Sequence, residues 1–122
     1  MEILSSRVIV RPTDRERSLG FYGGVLGLAI AREFPGGTVF FAGNGLVEVS
    51  GQGTGPAGDG TALWMQVRDI DAAHRELAAH VVREPRDEPW GLREMWIADP
   101  DGTRIVLVQV PPDHPIRRDV RD

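Results

Sequence analysis

The sequence predicts an α+β protein made from one short unit used twice. Two observations carry this. The order strand, capped helix, strands runs over 8–49 and again over 63–110, with matching positions about 55–58 residues apart, a period that marks repeated supersecondary units. Each unit also closes on a strand led by glycine, Gly45-Leu46-Val47-Glu48-Val49 in the first and Gly102-Thr103-Arg104-Ile105-Val106-Leu107-Val108 in the second. With 122 residues, a single domain is expected, 1–122, divided into a first module (7–50), a linker (51–60), a second module (61–110) and a tail (111–122). Two pseudo-symmetric halves predict a cleft, and so a pocket, between them.

The elements follow in order. Residues 8–11 form a short apolar strand ended by Pro12, which cannot donate to a ladder. Thr13 with Glu16 three residues on reads as a capping box, opening a helix to about Leu26, with Gly27 as its stop. Leu19, Tyr22, Val25 and Leu26 have helical spacing. Gly20, Gly23 and Gly24 weaken that helix, by about 1 kcal/mol each relative to Ala, so close packing against a sheet is expected to offset them. Residues 28–34, 38–42 and 46–50 read as strands, joined by Pro35-Gly36-Gly37 and by the Asn44-Gly45 tight-turn signal. The Gly-rich stretch 51–60 is the linker.

In the second half, 63–68 is a strand and Asp69 caps a helix from Ile70 to about His80, with Ile70, Ala73 and Leu77 as its buried stripe. Residues 81–84 begin a strand, and 85–91 read as a polar loop holding Trp90. Residues 93–98 and 104–110 are the last strands, joined by the turn Asp99-Pro100-Asp101-Gly102. The charged, Pro-rich tail is expected to be mobile unless a partner subunit holds it.

Composition narrows the function. Net charge is -4, which opposes nucleic acid as a partner, because phosphate binding needs a basic patch. There is no apolar run long enough to span a bilayer and no basic, apolar start of a signal peptide, so no membrane partner and a cytoplasmic location are expected. The chain has no Cys and no Lys, so thiolate metal sites, Cys nucleophiles and Schiff bases are excluded. The glycine stretches do not lead into a helix as a phosphate loop does, and there is no nucleophile elbow.

The run Ser18-Leu19-Gly20-Phe21-Tyr22 followed by Leu26-Gly27-Leu28 resembles the first helix of the vicinal oxygen chelate superfamily, which holds glyoxalase I, bleomycin-resistance proteins, fosfomycin-resistance enzymes and extradiol dioxygenases. Val67-Arg68-Asp69-Ile70-Asp71 and Asp99-Pro100-Asp101-Gly102 match it in the second half, and Pro89-Trp90-Gly91-Leu92-Arg93 resembles the loop such proteins place over their pocket. The resemblance covers about 7–110. It implies two βαβββ modules forming a curved mixed sheet around a cavity, paired across a homodimer, with one divalent metal in the catalytic members.

The same resemblance places the metal-ligand positions at Arg7, Glu48, Ala62 and Val106. Only Glu48 is a good ligand; Arg7 is a fixed cation, and Ala62 and Val106 carry no donor. A catalytic divalent site needs about three protein ligands, so the expectation is no metal and no cofactor. His74, His80 and His114 fall on a helix, at its end and in the tail, away from the pocket strands. Glu48 either faces solvent or sits in the cavity, where a buried carboxylate needs a partner, and Arg7 is the natural one. Trp64, Trp90, Trp96 and Phe41 are either core or an aromatic lining for a planar ligand, and Arg93 either a surface residue or a hold on an anion or carbonyl.

Two functions from different classes remain. One is a metal-free binding protein that sequesters a hydrophobic or planar natural product, antibiotic resistance by binding, its acidic balance suited to a cationic drug. The other is a lyase, isomerase or dioxygenase of the same superfamily, using a divalent metal or Glu48 as general base.

Overall fold

The computed structural model describes residues 1–55, 58 and 60–117. They form two compact units: Met1–Gly58 with Asp99–Gly102, and the other described residues. Each unit carries one four-stranded mixed sheet, the α+β pattern of the repeat.

In the first unit β1 (Val8–Val10) leads to α1 (Arg15–Leu19), a π-helical stretch Gly20–Val25, β2 (Ile30–Phe34), β3 (Gly37–Ala42) and β4 (Gly45–Ser50), with sheet order β1-β4-β3-β2. β1 runs parallel to β4, and the other pairs are antiparallel. Successive side chains of a strand face opposite ways. Val10, Val47, Val49 and Phe40 therefore share the face covered by Phe21 and Tyr22, and all six are buried. Tyr22 lies 5.1 Å from Phe21, edge to face, and 6.3 Å from Phe40. Among the three helix glycines, close packing applies only to Gly23, where an added Cβ would sit 3.3 Å from the Phe40 ring.

The helix start departs from the expected capping box. Asp14, not Thr13, is the N-cap and accepts from the Arg17 N–H. Thr13 is drawn off because its hydroxyl and its N–H donate to Asp101. The helix also changes register at Gly20, since the Leu26 N–H donates to the Phe21 carbonyl five residues back. The turn between β3 and β4 is centred on Gly43-Asn44 rather than Asn44-Gly45. Gly43 has φ +60 and Asn44 is not in the left-handed region, the arrangement in which glycine takes the first central position.

In the second unit β5 (Ala62–Gln66), α2 (Ile70–Glu76), β6 (Val81–Asp87), β7 (Arg93–Ala98) and β8 (Arg104–Gln109) repeat the plan, with order β5-β8-β7-β6. Asp69 caps α2 as expected, accepting from Asp71 and Ala72 N–H. The helix ends four residues early, because 78–80 tightens into a 3-10 turn. Leu63, Ile105, Leu107, Met95 and Ile97 make the core under α2 with Ile70 and Leu77.

One expectation fails here. Residues 85–87 are strand rather than loop: Pro85 is tolerated because β6 is an edge strand whose pairing shifts between Arg83 and Arg86. In the tail, the ring Nε2 of His114 lies 2.7 Å from the Trp90 carbonyl and its Nδ1 accepts from the Ile116 N–H; 118–122 lie outside the described residues. Gly51 and Gly53 donate to the carbonyls of Gly36 and Pro12 and belong to the first unit, while Pro56, Ala57 and Asp59 lie outside the described residues.

Candidate functional site

Each sheet has one face under its helix and one face turned away, and the candidate residues lie mostly on the latter. In the first unit the pairing sets Ile9 beside Glu48 and Val39 opposite it. Glu48 is the centre of a polar chain. Arg7 Nη1 donates to Oε1 at 3.1 Å, and the Ser50 hydroxyl donates to Oε2 at 2.6 Å. Arg11 Nη1 in turn donates to the Ser50 hydroxyl at 2.8 Å. The expected Arg7–Glu48 pair is present, and the Glu48 side chain keeps only 13% of its exposure. The Ser50 hydroxyl lowers the Glu48 pKa; desolvation opposes this, and Arg7 and then Arg11 reinforce it. Ser50 and Arg11 escaped the sequence reading, although strand alternation alone puts Ser50 on the Glu48 face. Phe41, opposite Leu46, stands on this face half exposed.

In the second unit the pairing lays out three rows on the face away from α2. Trp96, Val106 and Trp64 form the middle row across β7, β8 and β5. Ala98, Arg104 and Ala62 form the row on one side, and Glu94, Val108 and Gln66 the row on the other. Trp64 is half exposed and borders a cavity of about 460 Å³ with Gln66, Val110 and Ile116. Two guanidiniums, those of Arg83 and Arg104, lie over the Trp96 ring, each 4.3 Å from its centre.

The Trp90 loop is held from beneath. Glu88, expected in a solvated loop, is buried and accepts from Arg83 at 2.7 Å and Arg86 at 2.9 Å. The Arg86 hydrogen bond and then Arg83 hold its carboxyl below the usual range, against desolvation. The Trp90 indole donates to Glu94 Oε2 at 2.8 Å, leaving the ring half exposed. Arg93 is set apart from these residues. It shares the α2 face with Met95 and Ile97, and its guanidinium is bound to Asp71 and Asp87, each at 3.2 Å. Its neighbours already occupy the charge that would hold an anion. His74 pairs with Glu84 at 2.6 Å on the surface.

A divalent metal does not fit this donor set. Among the described residues no three His, Asp or Glu gather closely enough to hold one, and Glu48 spends both oxygens on Arg7 and Ser50. Among the described residues, no helix is long and apolar enough to cross a membrane.

Twinned strand–helix–strand modules with an aromatic, weakly polar face define a glyoxalase-type α+β protein. The family model described as the glyoxalase/bleomycin resistance protein/dioxygenase superfamily matches residues 5–107, and the chain belongs to that superfamily. Solved structures of the same fold include a glyoxalase/bleomycin resistance protein/dioxygenase from Nocardioides, 19% identical over 94% of this chain and 89% of that one, with a TM-score of 0.76. TioX from Micromonospora sp. ML1 is 23% identical over 87% and 95%, with a TM-score of 0.69. Lactoylglutathione lyase from Agrobacterium tumefaciens is 16% identical over 88% and 92%, with a TM-score of 0.68. No curated protein matches the chain at a significant level.

Proposed function

We propose that this protein is a metal-free binding protein that sequesters a hydrophobic or planar small molecule, a natural product of the kind resistance proteins capture, and that it works in the cytoplasm as a homodimer. The observation that carries the reading is the state of Glu48. The one carboxylate at the four superfamily ligand positions is tied to Ser50 and Arg7, while Trp64 and Trp90 present half-exposed rings. Aromatic faces bind planar molecules through large apolar area and stacking.

The enzymatic alternative meets two obstacles. A general base works best with a pKa near the operating pH, and the Ser50 and Arg7 bonds move Glu48 the other way. A metal-dependent lyase or dioxygenase would need about two further ligands, and Arg7, Ala62 and Val106 supply none.

The test is a tryptophan-fluorescence titration against a panel of planar natural products, with elemental analysis of the same preparation. Saturable quenching at one ligand per chain, without stoichiometric Ni, Zn, Mn or Fe, is the expected result. Silence across a broad panel, or one tightly held metal per chain, contradicts the reading.

A further inference from the structure

Beside the Trp64–Val106–Trp96 row stands the cation of Arg104. Its guanidinium lies over the Trp96 ring and, among the described residues, makes no hydrogen bond and no ion pair. The other guanidinium over that ring, Arg83, is held by comparison: it binds Glu88 and the Glu94 carbonyl. In its own row Arg104 is flanked by Ala98 and Ala62, whose methyl groups leave the space above them open. Adjacent rows on one face are about 6.6–6.8 Å apart, so Arg104 stands one ring-length from the row that holds Trp64. The opposite row ends in Glu94, whose carboxylate is taken up by the Trp90 indole. The two ends of this face therefore differ in sign.

We infer that the ligand of this face is an anionic aromatic molecule, its ring lying against the half-exposed Trp64 over Val106 and its carboxylate or sulfonate meeting Arg104. This rests on the reading of the protein as a binder of planar molecules and adds the ligand's charge to it. A guanidinium presents several N–H donors to one anion, and such charge-assisted bonds are the strong ones. The cation also raises the local potential in a chain whose net charge is -4.

Two fluorescent probes with the same rings separate charge from shape: 1-anilinonaphthalene-8-sulfonate and its uncharged counterpart N-phenyl-1-naphthylamine. Each is titrated into the full chain, following energy transfer from tryptophan. Wild type is expected to bind the sulfonate about tenfold more tightly, the worth of about 1.4 kcal/mol, close to the lower end of what a hydrogen bond to a charged group supplies. Arg104→Met, which keeps an apolar stem over Trp96, should bring the two affinities together, and Arg104→Lys should retain most of the preference. Melting curves establish that each variant is folded. Equal affinities in wild type, or a preference that survives Arg104→Met, overturn the anion assignment while leaving the planar-ligand reading in place. Binding of neither probe overturns both.

Discussion

Tyr22→Phe removes one oxygen from the interior of the first unit and nothing else. The ring keeps its contacts with Phe21 and Phe40. What is lost is the bond from the Tyr22 hydroxyl to Asp99 Oδ2 at 2.8 Å, between two side chains that are both buried. Burial, and then the Asp99 charge, push the Tyr22 phenol well above its ordinary pKa of 10.0, so the hydroxyl remains a donor over any working pH. A hydrogen bond to a charged group is worth about 1.5–3 kcal/mol, and the deletion leaves a buried acceptor short of a partner. Unfolding entropy near 2.1 cal/mol/K per residue gives about 0.26 kcal/mol/K for a chain of this size, so the loss corresponds to a Tm roughly 6–12 °C lower. Thermal and urea melts of the two proteins measure it. Asp99→Asn and the double variant complete a cycle whose coupling should account for most of the loss. A Tm unchanged within about 2 °C would refute the assignment of Tyr22–Asp99 as a buried, charge-assisted pair.

Three other outcomes follow from the same structure. Glu48 and Glu88 both have pKa values held below 4.5 in the folded state. Their stabilisation is therefore present above the unfolded pKa and lost as pH falls through the folded one; Glu48→Gln should flatten the acid side of a Tm-against-pH curve, and an unaltered acid limb would contradict the pairing. Gly37→Ala places a methyl against the Phe34 ring and 2.7 Å from the Ser50 Cβ, overpacking that should cost about 1–3 kcal/mol in a denaturant melt. Trp90→Phe frees the buried Glu94 carboxylate from its indole partner, so the variant should melt earlier and show weaker planar-probe binding; unchanged behaviour in both would show that the loop does not border the site.

What the sequence made legible was what local chemistry decides. The Asp69 cap and the strand 93–98 stand where the sequence reading put them, because a capping aspartate and a short apolar run bounded by turn residues need no distant partner. The pairing of Glu48 with Arg7 was also legible, since a half-buried carboxylate needs a cation and one lay on the neighbouring strand. The rest was decided at a distance. Thr13 lost its capping role to Asp101, eighty-eight residues away. Pro85 entered a strand because that strand is an edge, a fact of sheet order invisible in the local sequence. Glu88 reads as loop polarity until Arg83 and Arg86 are seen to converge on it. Arg93 and Arg104 look alike in the sequence, but Arg93 shares a face with Asp71, whereas Arg104 rises between two alanines over Trp96. Sequence spacing placed both on strands, and only the register assigned them faces.

The central claim is that this chain kept the superfamily's binding face and gave up the means to hold a metal there. Titration of N-phenyl-1-naphthylamine into the purified protein, with EDTA and again with added Ni, Zn or Mn, tests it most directly. The prediction is one saturable site whose affinity is the same in every condition. Binding that vanishes with the chelator and returns with one bound ion per chain would contradict it.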